Sequence, residues 1–222
     1  MVLLRSGSLE DKKLGQWDDF WKRKGRLYAY SWAKERIGRI LSDYVRPGIS
    51  VLDAGCGTGF FSSYFISNGC QTYSLDYSKI ALSITKEVTA HKSKMYVESD
   101  ILDETVLAKI GTKFDLIFTD GLLEHYSKME QDKIVMNMKA LKKDGGYIIN
   151  FVPNAFSFWS AVRPFCIGIE EHPFMVNELL NLHKKNSLNV IASGGINVVP
   201  FRFSPERIFG RYFGMLLYCV CY

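Results

Sequence analysis

A glycine-rich segment directly after an apolar run is the clearest candidate for chemistry in this chain. Residues 51–59 read VLDAGCGTG, with Asp53 closing the apolar run and with Gly55, Gly57 and Gly59 at alternate positions. Glycines permit a sharp turn and a close backbone approach to a ligand, and a following helix offers free N–H groups to an anion. The GxGxG spacing fits neither a GxGxxG dinucleotide fingerprint nor a P-loop. An acidic residue beside the loop suits a ligand that carries a cationic amine next to a carboxylate.

Polar side chains also follow the other apolar runs of the chain. In open α/β sheets, ligands bind outside the carboxyl ends of the strands. Asp76 can therefore accept hydrogen bonds from both hydroxyls of a ribose, and Asp100 can accept one from an adenine amino group. A helix cap is the structural alternative for both aspartates. The remaining candidates at these ends are Asp120, Glu124, His125, Pro153 and Asn154.

The elements that would position these groups alternate along the chain. The predicted strands are 50–54, 71–75, 95–98, 114–119 and 147–152. The predicted helices are 60–68, 78–90, 103–110, 128–141 and 176–185, after one or two amphipathic helices within 17–45. Such alternation predicts a parallel sheet with helices on both faces. Two later runs, 188–193 and 197–203, read as a hairpin that turns at Gly194-Gly195 and closes the sheet.

Length and composition narrow the class of protein. The chain has 222 residues, of which 47% are hydrophobic and 23% charged, as expected of one globular α/β domain. This excludes a disordered regulator, a collagen-like rod and a disulfide mini-protein. Five cysteines without a CxxC pair indicate neither a disulfide framework nor a zinc ribbon. Without a signal-peptide pattern or a run of about 18 apolar residues, we expect a cytoplasmic location and no membrane span.

The net charge of +5 comes from one region. Residues 11–46 hold ten Lys or Arg and five Asp or Glu, whereas the rest of the chain is balanced. A basic surface of this kind suits an anionic substrate, a nucleic acid or a membrane, and the alternative is a solvated helix face.

The motifs together resemble those of class I S-adenosylmethionine-dependent methyltransferases of the small-molecule type. The resemblance rests on VLDAGCGTG (51–59), SLDYS (74–78), SDI (99–101), FDLIFTDGLLEHY (114–126) and GGYIINFVPN (145–154), and covers roughly residues 30–203. It implies a Rossmann-like α/β fold with a seven-stranded, mostly parallel sheet, an antiparallel last strand and helices on both faces. It also implies S-adenosylmethionine as the cofactor. We expect a helical lid or substrate segment at 1–45 and the methyltransferase domain at 46–222.

The resemblance also assigns roles to individual residues. Asp53 would help to bind the cofactor's amino group, Asp76 the ribose, and Asp100 with Ile101 the adenine. The other cofactor-binding positions implied are Gly55, Cys56, Gly57, Gly59, Tyr77, Asp120 and Leu122.

His125 is the candidate general base. It follows the fourth strand, and an unperturbed pKa near 6.5 suits proton removal near neutral pH. The alternative is that it only shapes the site. Related families place Glu-x-x-Glu-His here for a divalent ion, but this chain has Gly121 at the first Glu position, so we expect no metal.

The acceptor is the least determined part of the prediction. We expect a small organic molecule methylated on O, N or C, contacted by Tyr28, Tyr30, Asn154, Trp159 and Arg163. RNA methylation and a non-catalytic cofactor-binding scaffold are the alternatives, although nucleic acid is not the expected partner. The GxGxG spacing disfavours a nicotinamide oxidoreductase. The apolar tail 213–222 is expected to pack on the sheet or to join a homodimer, and contact with a membrane surface is the alternative.

Overall fold

The computed structural model describes residues 9–24, 31–160, 169 and 171–222. Helices and strands alternate over most of this length, as the hydrophobic pattern predicts. The helices are α1 (Leu9–Lys24), α2 (Trp32–Leu41), α3 (Phe60–Ser67), α4 (Lys79–Val88), α5 (Val106–Ile110), α6 (Lys128–Leu141), α7 (Val176–Lys185) and α8 (Glu206–Phe213). The strands are β1 (Ser50–Ala54), β2 (Gln71–Asp76), β3 (Met95–Glu98), β4 (Phe114–Asp120), β5 (Lys142–Pro153), β6 (Val190–Ile196) and β7 (Leu216–Cys221). None of the described helices is long and apolar enough to cross a membrane.

The seven strands form one sheet in the order β3-β2-β1-β4-β5-β7-β6. The pairs from β3 to β5 are parallel, whereas β7 runs antiparallel to both β5 and β6. The strand bodies are apolar because helices cover both faces of the sheet. One face packs against α2 and α3, and the other against α5, α6 and α7. The predicted fold class is thereby confirmed.

The predicted closing hairpin is wrong. Strand β6 runs through Gly194 and Gly195, and residues 197–203 form no strand. The partner of β6 is β7, so the apolar tail lies inside the sheet, between β5 and β6. The glycines serve packing instead of a turn, because a Cβ atom on Gly195 would lie 1.9 Å from the carbonyl oxygen of Gly210 in α8. The prediction also missed α8 itself.

Side-chain caps explain where several helices begin. The hydroxyl of Ser31 accepts the N–H of Lys34 at the start of α2, and the hydroxyl of Ser78 accepts the N–H of Ala81 at the start of α4. Helix α6 begins with a capping box between Ser127 and Glu130. These contacts satisfy backbone donors that have no partner within the helix.

The last glycine of the loop after β1 has no room for a side chain. Gly59 has a φ of +75°, and a Cβ atom there would lie 2.8 to 2.9 Å from atoms of Thr85 in α4. Gly111 has a similar φ of +68° but nothing within 4 Å of such an atom. The two positions therefore share backbone strain and differ in packing.

We predict that Gly59→Ala destabilises the protein more than Gly111→Ala does. The left-handed conformation costs an L-residue about 1–2 kcal/mol at either position. Overpacking against Thr85 adds about 1–3 kcal/mol at Gly59 only. Urea unfolding of the two variants measures the difference, and equal losses of unfolding free energy would contradict the close packing of Gly59.

Candidate functional site

The carboxyl ends of β1 and β4 open into a cavity of about 360 Å³. Six of the residues predicted for the site lie in its wall: Asp53, Gly55, Cys56, Gly57, Asp120 and His125. Helix α1 and the start of α2 form the opposite wall, with Trp17, Phe20, Trp21 and Lys34. The remaining wall includes Phe60, Glu171, Met215 and Leu216. The sheet thus brings together groups that are far apart in sequence.

A second, much smaller cavity lies beside the end of β2. Its volume is about 50 Å³, and its lining includes the predicted residues Asp76, Tyr77 and Leu122. It shares Gly55 and His125 with the larger cavity. The predicted adenosine and methionine ends of the site are therefore adjacent.

Asp76 fastens the glycine loop to the end of β2. Its Oδ2 accepts the N–H of Gly57 at 3.0 Å, and its Oδ1 accepts the N–H of Ser78 at 2.9 Å. The cap of α4 is the Ser78 hydroxyl, so a capping role does not account for Asp76. The side chain is buried, with only 5% of the residue exposed. Its position leaves the carboxylate at the edge of the small cavity.

Asp53 is held by a chain of hydroxyl groups. Ser62 donates to Asp53 Oδ2 at 2.6 Å, and further contacts of 2.8 and 2.9 Å continue from Ser62 to Ser74 and from Ser74 to Ser93. All four residues are buried. The chain fixes the orientation of the Asp53 carboxylate.

The carboxylates give the site a negative character. Burial raises the pKa of Asp53 to about 7, with further increases from the charges of Asp120 and Asp76. Burial likewise raises the pKa of Asp76 to about 6, opposed by the Ser78 and Gly57 N–H groups and assisted by Asp100 and Asp18. A cationic ligand would relieve this repulsion and favour the ionised forms.

His125 lies between α1 and a second carboxylate. The Trp17 ring meets the imidazole edge to face, with a centroid distance of 4.8 Å. His125 Nε2 lies 3.8 Å from Glu171 Oε1, and less than a tenth of either side chain is exposed. The sequence predicts that Glu171 belongs to a segment, 154–173, that covers the acceptor, but no local motif assigns this residue a role of its own.

Two groups of side chains among the described residues are close enough to share a metal ion. Glu124, His125 and Glu171 form one beside the cavity, with oxygen and nitrogen donors. His183, Cys219 and Cys221 form the other, buried between α7 and β7, where both imidazole nitrogens already have hydrogen-bond partners. The expected absence of a metal at the first group remains a prediction.

Helix α1 lies across the predicted cofactor cleft. A Cβ atom on Gly57 would lie 2.7 Å from Cη2 of Trp21, and the hydroxyl of Ser78 donates to Asp18. The remaining space of about 50 Å³ beside Asp76 holds one or two water molecules and no nucleoside. The spacing of the tryptophans predicts an amphipathic helix within the expected lid or substrate segment 1–45, but it does not single out either ring as a site residue.

Lys34 is a further site residue that the sequence did not reveal. Its Nζ lies 4.3 Å above the centre of the Phe60 ring, in the wall of the larger cavity. Burial lowers the pKa of Lys34, and the charge of Asp120 opposes that shift.

Several predicted site residues have other surroundings. The Ile101 side chain belongs to the hydrophobic core, so it does not present a face to a ligand. The fully buried Asn154 amide donates to the carbonyls of Tyr212 and Gly214, which supports a positioning role instead of acceptor contact.

The carboxylate of Asp100 accepts a hydrogen bond from the Tyr126 hydroxyl at 3.0 Å. The half-buried Trp159 is absent from both cavity linings. Tyr28, Tyr30 and Arg163 lie outside the described residues.

We predict that Asp53→Asn stabilises the empty protein increasingly as the pH rises from 5 to 8. The folded state holds the Asp53 proton up to about pH 7, whereas the ordinary pKa is 3.8. The folded state therefore binds more protons, and the wild type loses unfolding free energy as the pH rises, by up to about 1.4 kcal/mol per pH unit. Urea unfolding across this range measures the difference from wild type. Asp144→Asn, at an exposed position of β5, is the control, and parallel curves for wild type and Asp53→Asn would contradict the assignment.

Comparisons with known proteins agree with this architecture. The chain is 25% identical over 131 residues to the ubiquinone biosynthesis O-methyltransferase of Leptothrix cholodnii, covering 57% of this chain and 52% of that protein. It is 25% identical over 177 residues to the malonyl-[acyl-carrier protein] O-methyltransferase of Buchnera aphidicola, covering 77% and 68%. The match thus spans about half of the first relative and about two thirds of the second.

A solved structure shows the same fold over the whole chain. The 1,6-didemethyltoxoflavin-N1-methyltransferase of Burkholderia thailandensis, solved with S-adenosylhomocysteine, superposes with a TM-score of 0.67 and 16% identity. The superposition covers 100% of this chain and 92% of that one. The family model described as a methyltransferase domain matches residues 46–193, from the residue before Pro47 into β6. With more than half of its length matched, this chain belongs to the methyltransferase domain family.

Proposed function

We propose that the protein is an S-adenosylmethionine-dependent methyltransferase that acts on an O, N or C atom of a small organic acceptor. The observation that carries this proposal is the buried Asp76 carboxylate, which accepts the N–H of Gly57 in the glycine loop and lines the small cavity next to the larger one that holds Asp53. A carboxylate at this strand end accepts ribose hydroxyls in doubly wound folds. The family membership of the chain supports the same function.

The residues present fit this cofactor electrostatically. Asp53, Asp76 and Asp120 surround the glycine loop, and their mutual repulsion favours a ligand that carries a sulfonium and an ammonium group. Asp76 would hold the ribose, Asp53 the amino group, and Tyr77 with Leu122 the adenosine side. The nucleoside requires more room than the cleft now offers, so α1 acts as a lid that moves when the cofactor enters.

The protein's own part in the reaction is positioning and proton transfer. When bound, the cofactor supplies an electrophilic methyl group on its sulfonium. The cavity wall of Trp17, Trp21 and Phe60 excludes water and aligns the acceptor, and alignment contributes about 7–11 kcal/mol in favourable cases. His125 accepts the proton of the acceptor, and Glu171 orients the imidazole and stabilises its charge.

The cavity and the relatives favour certain acceptors. Aromatic walls suit a mid-sized organic molecule, and Lys34 suits one with an anionic group. The two relatives by sequence are named as O-methyltransferases and the similar solved structure as an N1-methyltransferase, so we expect oxygen or nitrogen as the acceptor atom.

Calorimetric titration with S-adenosylmethionine and S-adenosylhomocysteine tests the cofactor, with NAD as the negative control. We expect both sulfur compounds to bind and NAD not to bind. We also expect protons to be released near pH 6, because ribose hydroxyls bond the ionised form of Asp76 and thereby lower its pKa from about 6. Below that pH the affinity should fall, by up to about tenfold per unit from this one group.

We expect Asp76→Ala to weaken cofactor binding about 100-fold, because two charge-assisted hydrogen bonds are lost. The same titration measures the loss, and Asp144→Ala, at an exposed position of β5, serves as the surface control. Unchanged affinity in a folded Asp76→Ala variant would remove the ribose assignment.

His125→Ala should lower turnover about 10²- to 10⁴-fold while cofactor affinity changes little. A methyl-transfer assay over an acceptor panel that includes phenols and carboxylic acids measures turnover. Glu171→Gln should lower turnover less and alter its pH profile, as expected of a positioning residue.

Chelator treatment should leave wild-type turnover unchanged, and loss of turnover on chelation would contradict the metal-free prediction. Tight cofactor binding without transfer to any acceptor would favour the scaffold alternative.

A further inference from the structure

An unusually large group of apolar side chains lies on the surface near α8. We refer to it as the aromatic surface, and its members come from three segments of the chain. The members are Phe156, Phe158, Phe201, Phe203, Ile208, Phe209, Tyr212 and Phe213, and all of them are exposed. Phe203 is 83% exposed, Phe158 76% and Ile208 70%. Single exposed apolar residues are ordinary, but a concentration of eight marks an interaction site.

Hydrogen bonds hold the three segments together. The Asn154 amide donates to the carbonyls of Tyr212 and Gly214, each at 3.0 Å, and Ser157 Oγ donates to the carbonyl of Phe213. These contacts place the 155–160 segment against the end of α8.

The loop before α8 is fixed by one buried arginine. Arg36, 4% exposed, donates to Asn197 Oδ1 at 2.8 Å and to the carbonyl of Phe201, and it pairs with Glu206. The aromatic surface therefore rests on a rigid frame.

Helix α8 exposes its apolar residues to the surface. Its buried contact is made by Gly210, which packs directly on Gly195 of β6. Ile208, Phe209, Tyr212 and Phe213 occupy neighbouring positions one turn apart and remain exposed. The apolar stripe of this helix thus faces outward instead of into the core, which is the arrangement of helices that lie in a membrane interface.

The charges beside the aromatic surface are positive. Residues 199–214 contain Arg202, Arg207 and Arg211, and their one acidic residue, Glu206, is the partner of Arg36. Among the described residues, no acidic group forms an ion pair with these three arginines. Two copies docking through this surface would bring like charges together, whereas an anionic headgroup layer complements them.

We propose that the aromatic surface docks on a membrane leaflet that contains anionic lipid. The aromatic and aliphatic side chains insert at the level of the headgroups, and Arg202, Arg207 and Arg211 contact lipid phosphates. Helix α8 leads directly into Met215 and Leu216 in the wall of the larger cavity. Docking would therefore hold the cavity near the lipid surface, where an amphiphilic acceptor is concentrated; this last consequence rests on the proposed function.

Vesicle co-sedimentation of the full chain, without cofactor, tests the proposal. The probes are vesicles of phosphatidylcholine alone and of phosphatidylcholine mixed with phosphatidylglycerol. We expect binding to the mixed vesicles that weakens as salt is added.

The double variant Phe203→Ser with Ile208→Ser should reduce binding at least about tenfold, because two apolar side chains are no longer transferred from water into the lipid layer. Met129→Ser with Met136→Ser removes two exposed apolar residues of α6 and should have no effect.

A charge series separates the electrostatic contribution. Replacing Arg202, Arg207 and Arg211 with Gln should reduce binding to the mixed vesicles about fivefold per residue. As the control, Lys79, Lys128 and Lys133 are replaced with Gln, which leaves the aromatic surface and its three arginines unchanged. This variant should bind the mixed vesicles more tightly than the arginine variant does.

Two results would overturn the proposal. One is absence of wild-type binding to the mixed vesicles, or equal binding by the aromatic variant and its methionine control. The other is a dimer in analytical ultracentrifugation that the aromatic variant disperses while vesicles remain unbound, which would assign the surface to a second copy. Circular dichroism and the cofactor titration verify that each variant is folded. Loss of vesicle binding with intact cofactor binding leaves the proposed function standing.

Discussion

The loop after β1 lies in close contact with the end of β2 and with α4. The site depends on this close contact. Gly57 donates its N–H to the buried Asp76, and Gly59 packs against Thr85 of α4 without space for a Cβ atom. The N–H groups of Gly55 and Cys56 both donate to the carbonyl of Leu75 in β2. One loop thus joins two strands and a helix. Its glycines are required by geometry, because the left-handed conformation and the close contact both exclude a side chain.

The same loop sets the electrostatics of the cleft. Carboxylates at the ends of β1 and β2 are buried there because the strands are adjacent, and burial without a cation penalises their ionised forms. Hydroxyl and backbone N–H donors offset part of this penalty. The ionised carboxylates repel one another, and a cationic ligand relieves this repulsion. Ligand affinity and the cost of folding are linked through the same aspartates.

Elements from both ends of the chain complete the site. Helix α1 supplies the tryptophans over the cleft, and Met215 and Leu216, at the start of β7, line the larger cavity. Strand β7, which lies between β5 and β6, carries the chain from the aromatic surface back into the core. Gly210 of α8 packs directly on Gly195 of β6, so the helix lies close to the sheet. The apolar side chains of α8 remain exposed on the surface.

Local sequence patterns predict the strands and helices as far as α7, the glycine loop and the acidic strand ends. These features depend on local patterns, since apolar runs, caps and turn residues act within a few positions of one another. The bounds of β1, β3, α6 and α7 agree with the predicted ones for that reason. Tertiary structure alone decided that the apolar tail pairs between β5 and β6, and that Gly194 and Gly195 continue a strand instead of forming a turn. It also decided that Trp17, Lys34 and Glu171 face the cavity. Strand neighbours and cavity walls depend on contacts between residues far apart in the chain, and no local pattern distinguishes a buried core residue from one that lines a site.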